Sequence, residues 1–262
     1  MKRIEYCCAL SVLLLAVISF GWNASPAPDS LTLHPMIPAG GSGYSPTANV
    51  LKSYNWSGYA VAAANNSVSD IQANWIVPKA HCSSGNTYAS IWVGIDGLNS
   101  NSVEQTGTGT DCKGSTAKYY AWYEMYPAAS IKINNMPVHK GDSMHAEVKY
   151  LGSSQYTLTI TNQTTVQTFQ ITLGGNDKRS SAEWIVEAPS LCNSHSCAIQ
   201  PLTNFSTATM TNSTATIGST TGSISAFASK KLNMVTPGNV VKASTGGLSA
   251  GGTTFTVKWH HK

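Results

Sequence analysis

From Tyr54 onward, apolar and polar residues alternate in short runs bounded by Gly, Asn, Pro or Ser. Among them are "NWSGYAVAA", "VSDIQANWIVP", "YASIWVGID", "AKYYAWYEMYP", "SMHAEVKYL", "QYTLTITNQ", "TVQTFQITL", "SAEWIVEAP" and "TTFTVKWHH". A period of two, with Val, Ile, Thr and Tyr enriched, predicts half-buried β-strands. No window carries the 3.6-residue period and end caps of a helix. A dozen or so short strands in one segment predict an all-β, helix-poor domain, either a sandwich or a barrel. No internal repeat is visible.

The pattern differs before Tyr54. Lys2 and Arg3 precede the apolar run "YCCALSVLLLAVISFGW", and small residues follow at Ala24, Ser25 and Ala27. Residues 1–24 therefore read as a secretory signal peptide. Residues 25–50, rich in Pro, Gly and Ser, read as a removable pro-segment or linker, leaving 51–262 as the β domain. No other segment is long and apolar enough to span a membrane. Export places the chain where disulfides persist. Cys7 and Cys8 leave with the signal, so four cysteines remain, with three possible pairings. Cys192 and Cys197 enclose the short polar loop "NSHS" and are expected to pair, with Cys82–Cys112 as the second bridge. A metal site is not expected, because there is no C-x-x-C and no H-E-x-x-H.

Charge narrows the function classes. The chain is 11% charged and carries a formal net charge of +4. Its basic residues form pairs such as Lys178–Arg179 and Lys230–Lys231, not the dense stripe that nucleic-acid binding needs. Asp and Glu total 12, and none follows Glu187. Few carboxylates means fewer native-state carboxylates to protonate in acid, which points to acid tolerance.

Against that scarcity, three strands place acids on one sheet face. In "AWYEMYP", Trp122, Glu124 and Tyr126 share a face. In "SIWVGIDG", Trp92 and Asp96 do. In "AEWIVEA", Glu183 and Glu187 do, about 13 Å apart at ~3.3 Å per residue and so too far apart to share a proton. Each acid alone reads best as a solvated surface group. Together, with the aromatics beside them, they suggest a cleft for a polymer, peptide or sugar. Two motifs are set aside. "GLSAG" (247–251) matches G-x-S-x-G, but a strand follows it and no acid lies downstream, so Ser249 belongs to a hairpin. "GIDG" occurs once, where paired aspartates need two copies.

The motifs "NWSGY" (55–59), "WVGIDG" (92–97), "EQTG" (104–107), "AWYEMYP" (121–127) and "AEWIVE" (182–187) occur in the order and spacing of the glutamic peptidases, or eqolisins. The chain resembles that family from Asn55 to Glu187, and its strand-rich tail is compatible with it. The resemblance implies an antiparallel β-sandwich of two seven-stranded sheets, concanavalin A-like or jelly-roll-like. It also implies a secreted acid endopeptidase that uses neither metal nor cofactor. By position, the family's catalytic glutamine falls on Gln105 and its catalytic glutamate on Glu187. Trp56, Trp92, Asp96, Trp122, Glu124 and Tyr126 fall on cleft-lining positions. Tyr120 stands where fungal members carry an Asp.

The chemistry needed agrees with the pair. An ionised Glu187 can take a proton from water and return it to the leaving amine. The Gln105 amide can donate to the oxyanion. The expected partner is a protein or peptide substrate, with no nucleic acid, no membrane for the mature chain, and a monomeric state. The alternative is a carbohydrate-binding module on the same aromatic face, which needs neither Gln105 nor Glu187. A glycoside hydrolase would instead need two carboxyls about 5–9.5 Å apart, such as Glu124 and Glu187.

Overall fold

The computed structural model describes residues 32–34, 50–98, 100–175, 177–192 and 196–262. The signal-peptide segment 1–24 lies outside the described residues, as does most of 25–50. The described residues fall in one compact unit, Leu31–Lys262.

Among the described residues, nineteen strands build it. The first group is β1 (Thr32–His34), β2 (Val50–Ser53), β3 (Trp56–Ala62), β4 (Val68–Ile76), β5 (Asn86–Ile95), β6 (Val103–Lys113) and β7 (Thr116–Tyr126). Next come β8 (Ile131–Pro137), β9 (Ser143–Gly152), β10 (Gln155–Asn162), β11 (Gln167–Gly174), β12 (Ser181–Glu187), β13 (Ser190–Cys192) and β14 (Cys197–Ile199). The last are β15 (Thr207–Ile217), β16 (Thr220–Ser223), β17 (Ser229–Val235), β18 (Val241–Thr245) and β19 (Phe255–Trp259). Among the described residues the helical content is a single 3-10 turn, Ile224–Ala226. The protein is all-β, as the alternation predicts.

One large sheet carries most strands, in the order β11-β10-β9-β4-β15-β19-β18-β17-β3-β12-β5-β6-β7-β8. Its neighbours run antiparallel, and β2 joins the side of β17 in parallel. A small sheet, β1-β13-β14, stands apart. The large sheet folds back on itself, so that β4 lies against β5 and β12, and β9 and β10 lie against β6. Between these faces Trp75, Trp184, Tyr156, Ile71, Ile95 and Phe255 are fully buried. Burying each such side chain is worth about 1.5–3 kcal/mol. The indoles also find acceptors across the fold: Trp184 Nε1 donates to Gln72 O at 3.0 Å, and Trp75 Nε1 to Thr108 Oγ1 at 3.0 Å.

Disulfides join Cys82 to Cys112 and Cys192 to Cys197. The first ties the chain before β5 to the end of β6. The "GLSAG" segment connects β18 to β19, and the Ser249 hydroxyl accepts the Thr254 N–H at 3.2 Å. Ser249 is thus a turn residue in a hairpin.

Candidate active site

Strand β12 sits between β3 and β5, and every residue of it is buried. Its period of two sends Ala182, Trp184 and Val186 into the main core. Glu183, Ile185 and Glu187 face the other way. There Ile185 packs in a second apolar cluster with Trp56, Trp92, Trp122, Ala60, Val103 and Leu232. Partly buried Tyr120 and Tyr126 border it.

Register lines up this face across five strands. Glu183 pairs with Ala60 on one side and Gly94 on the other, Gly94 pairs with Gln105, and Gln105 pairs with Glu124. Glu187 lies two pleats along, opposite Trp56 and Ser90. Between these rows runs Ile185, Trp92, Gly107 and Trp122. Gly107 has a packing reason to be glycine: a Cβ there would lie 2.6 Å from the Cβ of Trp92. At Gly109 an added Cβ would collide with the Tyr120 ring. Small residues on β6 thus let flanking aromatics lie across the sheet.

The polar groups are few and closely held. Trp92 Nε1 donates to Glu187 Oε2 at 2.7 Å, and Asn55 Nδ2 donates to Glu187 Oε1 at 3.3 Å. Gln105 Nε2 donates to Glu124 Oε2 at 3.2 Å. Burial, and then the charge of Glu187, hold the Glu124 carboxyl well above the usual carboxylate range. Glu124 thus electrostatically couples the Gln105 row to Glu187. Gln105 Oε1 and the indole N–H groups of Trp56 and Trp122 are buried with no protein partner. The Trp56 and Trp92 rings meet edge to face, with centroids 5.1 Å apart.

Asp96 sits elsewhere. Strand β5 ends at Ile95, and Asp96 adopts a left-handed φ of 69°. The alternation that puts it beside Trp92 therefore stops one residue short. Its carboxylate turns to the chain entering β12, accepting the Arg179 and Ser180 N–H groups and the Ser180 hydroxyl. Glu183 is buried with Asp96 nearby. Burial foremost raises its pKa well above the usual range, against the opposing donors Ser181 and the Leu98 N–H.

Three features escape a motif reading. Asn55, just before β3, reaches Glu187, with Ser53 at the end of β2 behind it. Tyr120 donates to Asp111 at 3.0 Å, with the Lys132 ammonium 3.6 Å from its ring centroid, at the position where fungal glutamic peptidases carry an Asp. Glu104 faces the core from β6, beside Asp177. Among the described residues no cluster of His, Cys, Asp or Glu could hold a metal ion.

An all-β domain that sets a buried glutamate and a glutamine on one aromatic-lined sheet face defines a narrow class of protein. The sequence pattern described as the Peptidase A4 family matches residues 54–259, and the chain belongs to that family. It is 33% identical over 138 residues to Aspergillopepsin-2 of Aspergillus niger, covering 51% of this chain and 48% of that protein. It is 34% identical over 164 residues to Scytalidopepsin B of Scytalidium lignicola, covering 59% and 60%. The matched part thus spans about half to three-fifths of these relatives. The crystal structure of scytalido-glutamic peptidase with a transition state analog inhibitor superposes with a TM-score of 0.69 at 25% identity, covering 79% of this chain and 98% of that one.

Proposed function

We propose that this chain is a secreted endopeptidase that hydrolyses peptide bonds in acid, with Glu187 as general base and Gln105 as oxyanion donor. The observation that carries the reading is the pairing of two differently held groups on one buried face. Glu187 receives a donor at each carboxylate oxygen, and Gln105 has its amide nitrogen fixed by Glu124. A base that must be ionised in acid is served by donors and harmed by neighbouring negative charge. Glu124, raised by burial and by Glu187, stays neutral while Glu187 carries the charge.

The steps follow. Glu187 removes a proton from water, whose oxygen attacks the carbonyl carbon. The carbonyl oxygen becomes the oxyanion, and the second N–H of Gln105 donates to it. Glu187 returns the proton to the amide nitrogen, and the C–N bond breaks. The indole N–H groups of Trp56 and Trp122 suit peptide carbonyls, since a buried donor without an acceptor is costly. Trp92, Tyr126 and Glu124 complete the cleft wall. Asp96, just after β5, supports it by holding the chain that enters β12. The relatives named above are peptidases, which favours peptide over carbohydrate as substrate.

The same reading assigns residues 1–24 to a signal peptide, 25–50 to a pro-segment or linker and 51–262 to the catalytic domain, acting as a monomer. The two disulfides fit an oxidising, extracellular destination. The strand order divides into two seven-stranded layers if the break falls between β18 and β17.

Digestion of a denatured protein substrate from pH 2 to 7 tests the function. Cleavage in the acid range is expected, unaffected by pepstatin or by serine-, cysteine- and metal-directed inhibitors. No cleavage by the folded, processed chain would leave the aromatic face as a carbohydrate-binding surface. Gln105→Ala should lower kcat by about 100–1,000-fold. Glu124→Gln, which mimics a neutral carboxyl, should keep most of the activity at low pH. A Glu124→Gln variant as inactive as Gln105→Ala would show that Glu124 must ionise.

A further inference from the structure

Asn55 and Ser53 lie outside the residues given roles so far, yet both are buried, and Asn55 reaches Glu187. Strand β2 places Ser53 by pairing with β17, opposite Met234. Two residues later comes Asn55, just before β3, and its backbone carbonyl accepts the Ala188 N–H at 2.8 Å. The backbones on either side of the Asn55–Glu187 contact are therefore fixed by sheet pairing.

Side-chain bookkeeping then fixes the amide. An asparagine side chain offers an acceptor on one arm and two donors on the other, and only its partners decide which arm points where. The Ser53 hydroxyl has one proton, which it donates to Asn55 Oδ1 at 3.1 Å. Its oxygen accepts the backbone N–H of Asn55 at 3.3 Å and of Trp56 at 3.0 Å. With two N–H groups pointing at the oxygen, the proton has to point away from them, toward Oδ1. The donor arm, Nδ2, is left facing Glu187 Oε1 at 3.3 Å. On the far oxygen Trp92 offers an indole N–H at 2.7 Å, a group that can only donate.

We propose that Ser53 and Asn55 are positioning residues of the catalytic base, with Ser53 setting the Asn55 amide and the amide setting the Glu187 carboxylate. The inference rests on Glu187 being that base. Donors on both oxygens fix the plane of the carboxylate and favour its charged form. Glu124 on β7 feels the charge of Glu187, while β3 and β5 present Trp56 and Trp92, which do not titrate. The arrangement leaves the base with one preferred direction of attack, which is what general-base catalysis needs from its surroundings.

The experiment compares kcat, KM and pH profile for the wild type, Asn55→Ala, Asn55→Asp, Ser53→Ala, Ser53→Thr and Glu187→Gln, with a thermal melt of each. Asn55→Ala should lower kcat by roughly 10–100-fold, leave KM near wild type and move the acid limb of the profile to higher pH. Ser53→Ala should lower kcat by on the order of 10-fold, and Ser53→Thr, which keeps the hydroxyl, should restore it. Asn55→Asp keeps the shape. It should retain activity at the lowest pH, where the new carboxyl can donate, and lose it as that carboxyl ionises, while the wild type stays active. A folded Asn55→Ala and Ser53→Ala with wild-type kcat and profile, beside an inactive Glu187→Gln, would overturn the inference alone. Activity retained in Glu187→Gln would remove the base and the inference with it. Should Asn55→Ala fail to fold, Asn55→Asp decides: an unchanged pH profile overturns the inference.

Discussion

Replacing Glu187 by glutamine is expected to lower kcat/KM by about 100–10,000-fold, the range for losing a positioned general base. The fold should survive. Glutamine has the shape of glutamate, and its carbonyl can still accept the Trp92 indole proton that now reaches Glu187 at 2.7 Å. The cost falls on the other arm, where the Asn55 N–H would meet an N–H in place of Oε1. KM should change little, because the cleft aromatics are untouched. The informative control is four residues away on the same face of the same strand. Glu183→Gln should be nearly as active as wild type, since burial already holds Glu183 in its neutral form and a neutral amide can accept the Leu98 N–H in its place. Steady-state kinetics at acid pH on both variants decides the matter. Equal losses would mean that the strand needs its acids for folding, and an active Glu187→Gln would sink the mechanism.

That contrast between two glutamates was only partly legible in the sequence. Alternation alone puts both on one face, and β12 does so. It is silent on which one receives a donor at each oxygen, because those come from Trp92 on β5 and Asn55 just before β3. Motif spacing separates them only through resemblance to a family. Asp96 shows the opposite limit. Period-two reading carries it onto the cleft face, but a left-handed residue at the end of β5 turns it toward Ser180. The all-β class was plain from the short Thr- and Val-rich runs, since no helical period competes with them. The three-residue strands β13 and β14 were not, being too short to show a period. Asn55 had a visible signal of a kind, as the first residue of "NWSGY". Nothing local in the sequence says that its side chain reaches 132 positions along the chain. Glu104 lies beside Gln105 in "EQTG", and alternation sends it to the opposite face. Only packing reveals that this face is core and that Asp177 meets it there.

Glu104 leads to the second large effect, a protein most stable in acid and progressively destabilised toward neutral pH. Its carboxyl is buried on β6 beside Asp177, which also lies near the Tyr156 hydroxyl. Burial first, then the neighbouring Asp177 carboxyl and the charges of Asp96 and Glu183, hold its pKa well above the carboxylate range. Glu124 and Glu183 are likewise raised, chiefly by burial. Asp70 is raised to about 6 by burial and by Glu147, with Lys149 opposing. Each of these acids binds its proton more tightly folded than unfolded. Stability from them is therefore fully present below the unfolded pKa, near ~4, and is lost as pH rises through the folded value. For Asp70 that window runs from about 3.8 to about 6, and for the buried glutamates it begins near ~4.3 and extends further up. Each fully buried group contributes a slope of about 1.4 kcal/mol per pH unit within its window. The damage would begin next to the site. Asp177 lies in the segment leading into β12, where Arg179 and Ser180 are held by Asp96. Ionising Glu104 against Asp177 would push that segment away from β6, and with it the start of the strand that carries Glu187. Denaturant unfolding at pH 3, 5 and 7 should show stability falling at each step, with a shallower fall in Glu104→Gln. Stability that is flat or rising from pH 3 to 7 would mean that these carboxyls ionise in the folded protein without cost, and that the Glu104–Asp177 contact does not hold β12 in place.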